Sequence, residues 1–227
     1  MSPLECVVLL CVVSTALATT TTWPPPPKWQ EKAKMARYLA HYSDYGIVSA
    51  ISPEYGYIPF GTLQSFADGT MDQSTGIPYF YIANISDTYK NLAYNNTISF
   101  SMTQAESSYC RDQGYDIEEP LCARMILYGK VVPVTGKEEV FAKKAMFTRH
   151  PAMAKWPAYH GWRFYKLQLR GVCLLDFYGG ATHVPLDKYY ATQPPTKEYS
   201  PLQKLRDYEN RVLAKLDESI HNELDLV

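Results

Sequence analysis

The order of strand-like and helix-like segments constrains the fold of this chain more than any other feature. Short apolar, β-branched or aromatic runs predict six strands, at residues 46–52, 57–66, 78–83, 96–104, 122–134 and 162–177. Three helices, at 31–42, 86–92 and 136–147, fall among them irregularly. Neither a regular βαβ alternation nor a repeat of 20–50 residues occurs, which disfavours doubly wound and solenoid folds. We therefore predict an α+β fold, a six-stranded antiparallel β-barrel, closed or split, with peripheral helices.

Several local features sharpen this prediction. The Asp-, Gly- and Ser-rich residues 68–76 predict a turn, and Ser86 is placed to cap the second helix. Val140, Lys144 and Phe147 fall on one side of the third helix, and Gly171 is expected to interrupt the last strand.

The N-terminus is typical of a secretory signal peptide. Seven apolar residues at 7–13 precede Ala16-Leu17-Ala18, a small-x-small cleavage pattern, so we expect cleavage near Ala18. The usual positive region is missing, because only the amino terminus is cationic and Glu5 opposes it. A membrane anchor is the alternative, but a span needs roughly 20 apolar residues and this run is shorter. The mature chain is therefore expected to be secreted, glycosylated and exposed to oxidant.

Composition shifts divide the chain into four parts. They are a signal peptide at 1–18, a proline-rich lead-in at 19–30, a barrel domain at 31–192, and a linker with a C-terminal amphipathic helix at 193–227. The helix begins at Ser200-Pro201 and repeats apolar residues at Leu202, Leu205, Val212, Leu216 and Ile220. It would pack either on its own domain or against a partner.

The chain contains five cysteines. Cys6 and Cys11 leave with the signal, and Cys110 and Cys122 flank a polar loop that a disulfide can close in an oxidising compartment. Cys173, in an apolar run, is predicted to be a buried free thiol. No zinc-type spacing occurs, so no metal is predicted.

Two sequons, Asn84-Ile85-Ser86 and Asn95-Asn96-Thr97, become glycan sites in a secreted chain. Glycosylation would require both asparagines to lie at the surface.

No catalytic constellation is evident. The chain has 22 Lys and Arg against 23 Asp and Glu, so electrostatic capture of nucleic acid is not expected. Common hydrolase, phosphate-loop and dinucleotide motifs are missing, and no pair of carboxylates can be nominated as acid and base. His150 and His160 share an aromatic loop, where they would either bind a metal or haem or serve as packing residues. We predict no catalytic, cofactor-binding or metal-binding residue.

Four sequence blocks resemble the CREG family. They are SDYGIVSAIS (43–52), GIPYFYIANISDTYKNL (76–92), FTRHPAMAKWP (147–157), and GWRFYKLQL (161–169) with LLDFYGGA (174–181). The resemblance covers roughly residues 36–190 and includes the Cys110/Cys122 pair; the tail after Ser200 is additional. It implies secreted glycoproteins, often endosomal or lysosomal, that restrain proliferation and promote differentiation.

The resemblance also implies a fold and a lost cofactor. CREG proteins resemble the flavin-binding split barrels, homodimers in which Arg and Lys on early strands hold the FMN phosphate. The corresponding stretch, 57–66, contains neither residue, and Lys90 and Arg149 are the basic residues left at nearby motif positions. The expectation is therefore a homodimeric, non-enzymatic protein without cofactor that recognises a cell-surface or lysosomal receptor. The alternative is a flavin- or haem-dependent oxidoreductase; direct DNA contact conflicts with neutral charge and secretion.

Overall fold

A single curled antiparallel sheet organises residues 23–196, the part of the chain that the structure, a computed structural model, describes. The signal peptide predicted at 1–18 and the helix predicted after Ser200 lie outside the described residues. The order of neighbouring strands is β2-β1-β5-β6-β7-β4-β3, and β8 pairs with β7. Within residues 23–196 the strands are β1 Tyr45–Ser52, β2 Ile58–Ser65, β3 Ala67–Thr70, β4 Gln73–Ile82, β5 Thr97–Thr103, β6 Arg124–Pro133, β7 Arg163–Leu175 and β8 Thr182–Val184.

Five α-helices accompany this sheet in the described region. They are α1 Lys32–Tyr42, α2 Asp87–Tyr94, α3 Tyr109–Asp112, α4 Gly136–Arg149 and α5 Leu186–Ala191. The predicted α+β split barrel with peripheral helices is confirmed, and so is the Ser86 cap, whose hydroxyl accepts a hydrogen bond from the Tyr89 backbone N–H.

Helix α1 fills the concave side of the sheet. Its residues from Met35 to Tyr42 are all buried, and they pack with a row of buried side chains on the central strands. That row runs from Val48 through Phe100 and Leu127 to Val172, each directly opposite the next. Because successive strand residues point to opposite faces, burial of this row leaves the adjacent positions on the convex face.

The lead-in precedes α1 in the chain and packs on it. The ring of Trp23 meets Tyr38 edge-on at 5.4 Å, and the Tyr38 hydroxyl donates a hydrogen bond to the Pro24 carbonyl at 2.8 Å. The proline-rich segment is therefore part of the folded domain from Trp23 onward.

The strand count was underestimated. Eight strands are present within residues 23–196, against six predicted, because β8 is only three residues long and residues 68–76 are not simply a turn. They contain most of β3 and the start of β4, and Asp68 explains why: its buried carboxylate accepts hydrogen bonds from Ser74 and from the Gly76 backbone N–H. Polar residues typical of turns are here satisfied inside the fold.

The side of α4 that carries Val140 and Lys144 is not its buried side. Val140 is 71% exposed, whereas Ala142, Ala145 and Met146 are buried against β3 and β4. Small alanines allow the helix to approach the sheet closely, and a pattern based on large apolar residues misses them.

The expected irregularity near Gly171 is a β-bulge. Tyr128 pairs with Gly171 and Gly129 pairs with Leu169, so Arg170 is the extra residue and β7 continues through it. A Cβ atom on Gly171 would lie 2.1 Å from the Tyr128 hydroxyl oxygen. The ring of Tyr128 therefore occupies the space that any side chain at position 171 would need.

Candidate functional site

A largely apolar row, with a serine at its centre, crosses the convex face of the sheet. Leu63 lies opposite Ile47, Ile47 opposite Ser101, Ser101 opposite Ile126, and Ile126 opposite Cys173. The row thus joins five neighbouring strands on the side away from α1. It is the strand-by-strand counterpart of the buried row that runs through Phe100 and Leu127.

Most of this row is open to solvent. Leu63 is 66% exposed, Ile47 40% and Ile126 42%, while Tyr45 and Tyr128 are exposed beside them. Where an antiparallel sheet faces water, its outward positions are usually polar. Large exposed apolar patches are typical of interaction surfaces.

A shallow cavity of about 350 Å³ lies in the same face. It is lined mainly by Ile47, Met102, Ile126, Cys173 and Leu175, with Arg124 as its only charged lining residue among those described. The lining is therefore suited to an apolar side chain from a partner. The uninterrupted apolar run MILY at 125–128 is the sequence signal for this face. A strand with one face in water usually alternates apolar and polar residues.

The structure accounts for both basic residues considered for a flavin phosphate. Arg149 is almost buried and donates to the backbone carbonyls of His41 at 2.8 Å and Ser43 at 3.1 Å, and to the Asp44 carboxylate at 2.7 Å. Lys90 lies on the surface, paired with Glu54 at 3.0 Å and Asp87 at 3.4 Å. Arg149 therefore holds the start of β1, and Lys90 is neutralised by two carboxylates.

These contacts test whether the residues present fit FMN. A phosphate dianion needs several charge-assisted donors converging on one point. Strand β2, which the family resemblance predicts to correspond to the phosphate-binding stretch of flavin split barrels, has no Arg or Lys, and Arg149 and Lys90 are engaged elsewhere. The residues do not fit the phosphate of FMN.

One carboxyl group beside Asp44 has a strongly raised pKa. Glu106 accepts a hydrogen bond from the Asp44 backbone N–H at 2.6 Å. Burial raises the pKa of Glu106 to about 7, against the opposing effect of that hydrogen bond. The raised pKa favours the protonated, neutral form of Glu106 below about pH 7.

The two histidines of the aromatic loop are in separate environments. His150 places Nε2 at 2.8 Å from the Phe66 carbonyl, and burial lowers the pKa of its imidazole. The ring of His160 packs edge-on against Tyr159. Among residues 23–196, no group of three or more His, Cys, Asp or Glu side chains is placed to hold a metal ion.

The remaining site predictions fall on described residues. Cys110 and Cys122 form a disulfide, and Cys173 is a free thiol, half-buried where full burial was expected, since its strand faces the open side of the sheet. Asn84 and Asn95 are both exposed, as glycan attachment would require. No helix in the described part of the chain is long and apolar enough to cross a membrane.

The sequence and the fold both have counterparts among known proteins. The model of the family described as "CREG, beta-barrel" matches residues 27–191. The chain is 35% identical to Protein CREG1 of Gallus gallus over 169 residues, covering 73% of this chain and 88% of that protein. It is 38% identical to Protein CREG2 of Mus musculus over 164 residues, covering 71% and 57% respectively. Among solved structures, a haem-binding protein from Mycobacterium smegmatis shares the fold, with a TM-score of 0.58, 18% identity, and coverage of 75% of this chain and 63% of that one.

Proposed function

Because the chain belongs to the CREG β-barrel family, we propose that it is a secreted glycoprotein without enzymatic activity that works by binding other proteins. Its first partner is a second copy of itself, held through the convex apolar face. The homodimer then engages a cell-surface or lysosomal receptor and influences cell growth and differentiation.

The observation that carries this proposal is the exposed row from Leu63 to Cys173. Protein interfaces are built around a central apolar cluster that is desolvated on binding, with polar groups at the rim. Leu63, Ile47 and Ile126 provide such a centre, and the cavity beside Ile126 offers a place for a partner's side chain.

The misfit to a flavin phosphate supports the non-enzymatic part of the proposal. A split barrel can host many functions, so the fold alone assigns none. Without converging cationic donors at β2, an FMN phosphate would be desolvated with little compensation.

Two features support an extracellular or lysosomal setting. The Cys110–Cys122 disulfide suits an oxidising compartment. Exposure of Asn84 and Asn95 leaves both sequons accessible to glycosylation on the secretory route.

The dimer is tested by placing a charge in the apolar row. We expect the purified protein to be a dimer at micromolar concentration in native mass spectrometry or light scattering. Ile126→Lys should weaken association at least tenfold, because the ammonium group would be desolvated in the interface. The matched control is Val140→Lys on α4, an equally large change at an exposed site away from the row. A monomeric wild-type protein, or equal effects of both substitutions, would contradict the proposal.

The absence of enzymatic cofactor chemistry is tested separately. The dimer is titrated with FMN and, in a second experiment, with haem, while flavin or Soret absorbance and tryptophan fluorescence are followed. Micromolar binding of either cofactor would favour an oxidoreductase instead.

A further inference from the structure

The sequon residue Asn84 lies beside the loop that precedes β7. Pairing of β4 with β7 ends at Ile82, opposite Arg163, and Asn84 follows two residues later on the surface. The Asn84 backbone N–H donates a hydrogen bond to the His160 carbonyl at 3.1 Å. The two segments therefore stay together beyond the last pair of strand residues.

Gly161 shows where the Asn84 side chain lies. A Cβ atom on Gly161 would be 2.5 Å from Asn84 Nδ2, the atom to which an N-linked glycan is joined. Gly161 also has a φ of +65°, which favours glycine. The first sugar of a glycan would thus start directly over Gly161, between residues 160 and 162.

Four aromatic side chains surround this starting point, and we call them the aromatic platform: Trp156, Tyr159, His160 and Trp162. The His160 ring is 4.4 Å from Tyr159 and 6.2 Å from Trp162, and the two tryptophan rings are 4.6 Å apart. Tyr159 is 85% exposed and Trp156 39%. The platform is therefore a continuous set of rings that is open to solvent.

The platform is held in place from below. Trp162 stacks on Tyr81 of β4 with ring centroids 5.0 Å apart, and its indole N–H donates to the Pro157 carbonyl at 3.0 Å. Ordered rings present a contact surface at little cost in conformational entropy. A sugar that packs here does not have to order the platform first.

The chemistry of the platform suits the first sugar of an N-glycan. N-acetylglucosamine is neutral, and its ring C–H groups and acetyl methyl group pack well on the electron-rich face of an aromatic ring. Because consecutive Cα atoms are about 3.8 Å apart, a pyranose attached at Nδ2 over Gly161 reaches both His160 and Trp162. Tethering also gives this sugar a high effective concentration, so a weak contact is sufficient to keep it in place.

We propose that the first N-acetylglucosamine of a glycan on Asn84 packs against the aromatic platform and stabilises the loop that precedes β7. This inference rests on the proposed secretion and glycosylation, and it adds a contact that the sequon alone does not specify. The glycan would then act as a structural part of the domain.

The proposal is tested on the secreted full chain carrying Asn95→Gln, so that Asn84 has the remaining sequon. Cells that make only oligomannose glycans supply the protein. Endoglycosidase H trims the glycan to one N-acetylglucosamine, whereas peptide N-glycosidase F, or the added substitution Asn84→Gln, leaves no sugar. Intact mass confirms each form, and thermal unfolding compares them.

One remaining sugar should be enough for the full effect. We expect the trimmed protein to keep its Tm within about 1 °C of the fully glycosylated form, and both sugar-free forms to lose about 2–4 °C, the shift that one aromatic contact gives a domain of this size. In NMR spectra of the trimmed protein, the acetyl methyl resonance should lie upfield of its position in free N-acetylglucosaminyl-asparagine, because it faces an aromatic ring.

Substitutions in the platform locate the contact. Trp162→Leu should reduce the difference in Tm between trimmed and sugar-free protein at least twofold. Trp29→Leu is the matched control, because Trp29 is also a partly exposed tryptophan stacked on an aromatic ring, but on the lead-in. If Trp162→Leu fails to fold, Tyr159→Ala at the 85% exposed position takes its place.

Three results would overturn the proposal. They are equal Tm values in trimmed and sugar-free protein, a loss on trimming as large as that on complete removal, and equal effects of the platform and Trp29 substitutions on the sugar-dependent difference. An intact mass without a glycan on Asn84 would overturn it as well, and would also contradict the proposed glycosylation at this residue. The first three results leave that glycosylation standing.

Discussion

Burial of Glu106 couples the stability of this fold to pH. In the unfolded chain its carboxyl would titrate near 4.5, whereas in the folded chain burial raises the pKa to about 7. Between these values the folded state holds the proton more tightly than the unfolded state. Stability therefore falls as the pH rises from about 4.5 to 7 and is constant beyond, where both states are ionised.

Replacing Glu106 with glutamine should remove this dependence. The amide keeps an oxygen to accept the Asp44 backbone N–H but carries no charge. We compare the unfolding free energy of Glu106→Gln with that of the wild type. From pH 5 to pH 8 this difference should shift by about 2 kcal/mol in favour of the variant, allowing for the solvent that still reaches the side chain. Urea unfolding of both proteins at the two pH values measures it. An identical difference at pH 5 and pH 8 would show that Glu106 does not titrate in this range.

Arg149 and Lys90 provide a matched pair of basic residues. Arg149→Met removes a nearly buried guanidinium that satisfies two backbone carbonyls and Asp44, so we expect a loss of about 2–4 kcal/mol in unfolding free energy. Lys90→Met breaks only exposed ion pairs and should leave the unfolding midpoint unchanged. Urea denaturation monitored by tryptophan fluorescence compares them. Comparable losses in both variants would mean that Arg149 is not the anchor of β1.

At the scale of elements, the Cys110–Cys122 disulfide closes a small loop of sequence separation 12. The chain-entropy model assigns about 3 kcal/mol to a loop of this length. The double variant Cys110→Ser/Cys122→Ser should lose about this amount, measured by urea unfolding against the wild type without reductant. Unchanged stability would show that the loop is held by its packing alone.

The elements that sequence predicted well are those with a clear period or cap. Helix α1 and strands β1, β2, β5 and β6 begin and end within two residues of the predicted bounds. The errors have physical causes. Asp68 and Ser74 have turn-like side chains that hydrogen-bond inside the fold, and the alanines of α4 contribute no obvious periodic signal.

The candidate face was only partly predictable for a related reason. The sequence pattern predicts that Ile126 and Leu127 both belong to a strand, but it does not predict which residues of the neighbouring strands lie opposite them. The row from Leu63 to Cys173 depends on strand order and register, which are set by contacts far apart in sequence.

At the scale of the whole molecule, the two sequons lie outside the convex row. Asn95 precedes β5, and from Thr97 to the central Ser101 the strand runs four residues, roughly 13 Å. We expect both sites to carry glycans in secreted protein, so that Asn84→Gln and Asn95→Gln each reduce the intact mass by one glycan. Enzymatic deglycosylation of the wild type is the control. Loss of dimer in either variant would place a glycan within the interface instead.

The glycine beneath the Tyr128 ring has a consequence for how two molecules would meet. With only hydrogen at position 171, the phenol lies flat along its own sheet and the outer contour stays low. An added methyl group would tip the ring outward into a ridge, while the buried row behind it would be untouched. Gly171→Ala would thus leave the fold of the monomer intact but weaken association in the proposed dimer.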